Sequence, residues 1–168
     1  MDALPEVWLR GPVPGVPDAL MPAAHAFLQT MEDVERGAGD LTIEQLWQTP
    51  GGAASVGFHI LHLAGSTDRL LTYARGERLN ADQRAALAAE QSPERRRVSD
   101  LIAGLRTAID SAMAQVRATR VDTLYEPRTV GRAALPTTVI GLMFHAAEHS
   151  QRHAGQLVTT AKIVRGAS

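Results

Sequence analysis

Apolar side chains recur along this chain at intervals of three and four residues, a period that predicts helices. After Pro17, Leu20, Ala24, Phe27, Met31 and Val34 form one stripe, with Asp18 as its N-cap and Gly37 or Gly39 as its stop. A second helix is predicted from Ser55, its N-cap, to about Ala74; Val56, Ile60, Leu63, Leu70 and Ala74 mark its apolar face, and Gly76 ends it. The clearest stripe is Val98, Leu101, Ile102, Leu105, Ile109, Met113 and Val116, opened by Ser92-Pro93-Glu94 as a cap and a first-turn proline. The last helix is predicted from Pro136 to about Val164. Leu135, Val139, Leu142, Ala146, Leu157 and Thr160 face inward on it.

The connecting segments read differently. Residues 1–17 hold four prolines and read as an extended arm lying on the domain surface. LTIEQLWQTPGGAAS joins the first two helices through a Pro-Gly-Gly turn, and Trp8 and Trp47 read as packing residues. A polar, alanine-rich piece around residues 80–91 predicts a short helix or an ordered loop, and residues 119–136 read as a connection punctuated by Pro127, Gly131 and Pro136. No segment sustains a period of two, and aromatic strand formers are few. The expectation is an all-α fold, a four-helix bundle with a proline-rich N-terminal arm, forming a single domain over residues 1–168.

Composition narrows the function. With 17 basic and 18 acidic residues the net charge is −1, which gives no electrostatic case for nucleic acid. Cysteine is absent, so disulfides, thiolate metal sites and cysteine nucleophiles are excluded; a metal here must be held by nitrogen and oxygen. The N-terminus has an acidic second residue and no apolar run of signal-peptide type, and no stretch is apolar enough to span a membrane. A cytoplasmic protein is expected.

The candidate chemistry lies in the histidines. His59 and His62 sit three apart in GFHILHLAG, and His145, His149 and His153 recur every four residues in HAAEHSQRH. Imidazole is the commonest protein ligand of late first-row metals, and residues four apart share a helix face. At about 1.5 Å rise per residue, His145 and His153 are roughly 12 Å apart, too far to share an ion. The pair is either His145 with His149 or His149 with His153. His145-Ala-Ala-Glu148-His149 fits the H-x-x-E-H pattern, but that site needs a downstream carboxylate, and no Asp or Glu follows Glu148. H-E-x-x-H fails because Ser150 follows His149. A di-iron centre fails because no glutamate stands three residues before any of these histidines. A mononuclear three-histidine site survives, its third ligand being His59 or His62, which differ by about 60° around their helix. A lone histidine would read as a satisfied core residue. Burying a spaced cluster without a common partner strands polar groups, and that favours metal.

The segments SVGFHILHLAGSTDRLLTYARG and HAAEHSQRHAGQL resemble the DinB/YfiT-like superfamily of metal-dependent helical proteins, the second through the motif H-x-x-x-H-x-G-Q. The resemblance covers most of the chain but not the proline-rich arm. It implies His62, His149 and His153 as ligands of a divalent ion, zinc first and nickel, iron or manganese as alternatives, with His59 and His145 as pocket residues. It also implies homodimerisation. Better-characterised relatives are thiol transferases using mycothiol or bacillithiol, and some members are isomerases or hydrolases.

The resulting expectation is a metal-dependent enzyme in which the open metal position activates a low-molecular-weight thiol or water against a small-molecule substrate. Glu148, Gln156, Ser66, Arg69 and Tyr73 are candidate neighbours of the site, with Arg69 reading equally as an anion ligand or as a structural ion pair. The rival from another class is a non-catalytic, stress-related binding or dimerisation module, or a metal-binding protein whose histidines are structural.

Overall fold

The computed structural model describes residues 4–92 and 96–166, and helices dominate it. In chain order they are α1 (Met21–Ala38), α2 (Ile43–Leu46), α3 (Val56–Ala74), α4 (Ala81–Ala89), α5 (Val98–Ala118) and α6 (Val139–Gly166). α1 and α3 each pack against both α5 and α6, so the four long helices close around one core. Phe27, Ile60, Leu63, Leu105, Ile109 and Leu157 are among its fully buried members.

The stripes read from sequence are the faces that pack. Leu20, just before α1, and Ala24, Phe27, Met31 and Val34 on it are all buried, as are Val98, Leu101, Leu105, Ile109, Met113 and Val116 on α5. α3 spans the predicted residues, and the Ser55 hydroxyl accepts the Phe58 N–H at 3.1 Å, satisfying one of the orphan donors of the first turn. Gly76, at φ 80°, ends it in a left-handed turn, and the Glu77 N–H returns to the Thr72 carbonyl.

Several expectations need correction. Asp18 does not cap α1: it lies in a 3₁₀ turn, Asp18–Leu20, that leads into the helix, and its side chain makes no capping bond. Residues 119–136 are more than a connection. Pro127–Val130 (β1) and Leu135–Thr138 (β2) form an antiparallel hairpin, with Pro127 opposite Thr138 and Val130 opposite Leu135. Leu135 therefore belongs to a strand and is exposed, and α6 begins at Val139 rather than Pro136. Exposure alternates along β1, with Arg128 and Val130 half-buried, but four residues per strand are too few for the sequence to show a sustained period of two. The Arg128 guanidinium, on β1, donates to the Ala74 carbonyl at 2.8 Å and so satisfies the C-terminal end of α3. α5 begins at Val98, and of the predicted opening Pro93 and Glu94 lie outside the described residues.

The described arm residues lie against α1 and α5. Val7 and Val16 are buried, the Val7 N–H donates to the Gln29 side chain, and Arg10 forms a two-pronged ion pair with Glu32. Arg117 of α5 donates to the Pro14 carbonyl. Trp8 does not pack; it is 61% exposed, with its indole N–H on Glu6. Trp47 does, lying flat on α3 where Gly57 leaves room: a Cβ there would sit 2.8 Å from the ring. Among the described residues, no helix is long and apolar enough to cross a membrane.

Candidate metal centre

The N-terminal half of α3 and the middle of α6 bring the histidines together. Two polar ties set the approach of α6 to its neighbours: Ser150 meets Thr67 of α3 at 3.3 Å between hydroxyls, and the Gln151 amide donates to Ala26 and Thr30 of α1. Ala146, Ala147 and Ala154 are buried on α6 and let the helices come close.

One ring nitrogen from each of His62, His149 and His153 falls within 4.8 Å of the other two. Nε2 of His62 and Nε2 of His149 are 2.8 Å apart, and the ring centroids of His153 lie 4.5 Å from His62 and 4.4 Å from His149. In a tetrahedral zinc shell, with bonds of about 2.0–2.1 Å, donor nitrogens stand about 3.3 Å apart. The cluster is of that scale.

The protonation pattern supports a cation as the common partner. Nδ1 of His62 lies 2.8 Å from Oε2 of Glu90, and an ionised carboxylate only accepts, so the ring proton sits on Nδ1. That leaves a lone pair on Nε2, directed at another imidazole nitrogen. Nδ1 of His149 is buried with no hydrogen-bond partner among the described residues. Burial, and then the neighbouring imidazoles, push His149 down to about 4; His59 falls to about 4 for the same reasons. His153 is also pushed down to about 4, by burial and then by His62. His59, His149 and His153 are therefore neutral at pH 7, the state in which imidazole ligates.

His59 and Glu90 occupy the outer positions. His59 is buried, and its Nδ1 meets Nδ1 of His153 at 3.0 Å. Glu90, the residue that closes α4, is buried as well and binds His62 through one oxygen and Arg69 through the other, at 2.6 Å. Burial pushes the Glu90 carboxyl up, but the hydrogen bonds from His62 and Arg69 outweigh it and hold the group below the usual carboxylate range. Arg69 thus serves an internal ion pair. Sequence reasoning missed Glu90. The signal available was Arg69 itself, seven residues from His62 on the same helix strip, because a cation on a burying face calls for an anion.

The remaining candidates lie at the edge of the cluster or away from it, His145 with its ring centroid 5.5 Å from that of His149. His145 is half-exposed and lies 3.5 Å from Glu148, whose carboxylate is bound by Arg152 on the outer flank of α6. The Arg152 hydrogen bond holds Glu148 below its ordinary pKa. Gln156 is exposed, and Ser66 is buried with its hydroxyl toward the Leu63 carbonyl. Tyr73 lines an open groove of about 1160 Å³ between the end of α3, α4 and the hairpin, a groove without histidines. Phe58 stacks on His62, with ring centroids 5.2 Å apart and planes 12° from parallel.

A helical protein with three imidazoles converging from two helices has the donor set of a mononuclear metal site. The sequence matches the family model described as the DinB superfamily over residues 24–157, a span that contains all three histidines and Glu90. The chain belongs to the DinB superfamily. No curated protein matches it.

Proposed function

We propose that this protein is a metal-dependent enzyme of four-helix-bundle type, holding one divalent ion, zinc first, on His62, His149 and His153. Three neutral imidazoles leave the ion's charge uncompensated, so it supplies Lewis acidity at an open position and eases deprotonation of a thiol or water there. The observation that carries this reading is the Nε2–Nε2 approach of His62 and His149 at 2.8 Å, with the opposite nitrogen of His62 already engaged by Glu90.

The chain's own residues divide the work. His62, His149 and His153 bind; Glu90 and His59 orient two of those rings; Phe58 covers one face of His62 and keeps water from it. Because the chain has no cysteine, a thiol nucleophile has to be a cosubstrate, which fits a thiol S-transferase; water in the same position would make the protein a hydrolase.

Cobalt substitution tests this reading. The Co(II) protein titrated with a small thiol is expected to develop a sulfur-to-metal charge-transfer band that is missing in His153→Ala. A cobalt spectrum unmoved by thiol but shifted by pH favours the hydrolase form. A protein that takes up no cobalt contradicts both.

A further inference from the structure

Glu90 is the only buried residue among those described between Ala74 and Val98, and α4 buries none of its own residues. Gln83 of α4 also ties to α3, its amide donating to Asp68 and Thr72. With Gln83 already tying the segment to α3, a buried carboxylate is not needed for pinning alone. A buried charge carries a desolvation penalty that an apolar anchor avoids. Arg69 alone would also satisfy it, yet the second oxygen reaches a ring nitrogen of His62.

α3 is shaped to receive this carboxylate. Gly65 lies between His62 and Arg69 on the helix, and a Cβ there would sit 2.5 Å from both the Arg69 guanidinium and the Glu90 carboxylate. Glycine in a helix interior is unfavourable relative to alanine, so the missing side chain needs a reason. The ion pair fills the space it leaves.

We infer that Glu90, seated on Gly65 and Arg69, is a positioning residue that fixes His62 as an Nε2 donor, and that it couples cation binding to the docking of residues 77–92. This rests on the metal reading above. The coupling runs both ways, because linkage is reciprocal. A cation drawing on Nε2 makes the Nδ1–H a stronger donor to Glu90, and the docked carboxylate makes His62 a better ligand.

The test compares wild type, Glu90→Gln and Gly65→Ala by competitive zinc titration, with nitrogen NMR of the histidine rings and limited proteolysis. Zinc affinity is expected to fall about 10–100-fold in Glu90→Gln, the usual effect of losing an outer-sphere partner. Gly65→Ala, which favours the helix but displaces the carboxylate, is expected to lose affinity by a smaller factor than Glu90→Gln. Zinc should slow cleavage within residues 77–92 in wild type and not in Glu90→Gln, and metal-free wild type should carry the His62 proton on Nδ1. A merely structural role would lower the melting temperature and leave zinc affinity unchanged. Equal zinc affinity in wild type and Glu90→Gln, or a His62 proton on Nε2 in wild type, overturns this inference alone. Failure of wild type to bind zinc overturns the metal reading and the coupling with it.

Discussion

The face of α5 is buried and the histidine seam between α3 and α6 is buried or half-buried, and the two are covered for opposite reasons. On α5, Leu101, Leu105, Ile109 and Val116 meet the core with side chains that have nothing to satisfy beyond contact. At the seam, His59, His62, His149 and His153 crowd together in a region that also holds a buried carboxylate and guanidinium. Two imidazole nitrogens confront one another, and a third finds no partner among the described residues. Burial of apolar surface stabilises the first region as folding proceeds. Burial of polar groups raises the free energy of the second until something supplies the missing interaction. One region makes the fold, and the other is kept in it for chemistry.

The largest contrast should come from paired substitutions in metal-free protein. Leu105→Ala removes a fully buried side chain and is expected to cost about 2–5 kcal/mol, read from the denaturant midpoint at constant slope. His149→Leu removes a ring with one unpartnered nitrogen, at the cost of its contact with Nε2 of His62, and should destabilise the metal-free protein less than Leu105→Ala does. Comparable destabilisation by both would erase the distinction between the two regions.

Acid sharpens it less dramatically. His59, His149 and His153 titrate near 4 in the folded protein, below the ordinary imidazole value of 6.5. Between those values the unfolded chain takes up protons that the fold refuses, so stability declines as pH falls from about 6.5 to about 4. Glu90, held below its ordinary value, acts in the same direction at the lower end. Thermal melts of the metal-free protein should therefore drop steadily through that window. Leu105→Ala should shift the curve down without changing its shape, whereas a flat profile would mean the rings are not buried as neutral groups.

The same division explains what could be read from the chain. Periodicity encodes apolar burial locally, so the stripes of α1, α3 and α5 and the Ser55 cap are legible from neighbours a few residues apart. The histidines were legible too, because ligand spacing on a helix is itself a local pattern, and His149 with His153 is one turn of α6. What joins His62 to Glu90 is a contact across 28 residues, made by a lone acid in an alanine-rich segment that has no period pointing inward. The hairpin escaped for a related reason: each strand carries a proline, and its role at the end of α3 belongs to one arginine rather than to an alternating face. Trp8 shows the converse error, since a large apolar side chain in a proline-rich arm is not thereby a packed one.

On this reading the seam is a three-histidine site for one divalent cation. Zinc content by elemental analysis, on wild type and on His62→Ala, His149→Ala, His153→Ala and His145→Ala after identical loading and dialysis, tests it most directly. About one ion per chain is expected in wild type and in His145→Ala, and loss of stoichiometric metal in the other three. Metal retained unchanged in His62→Ala and His153→Ala, or none held by wild type, would contradict it.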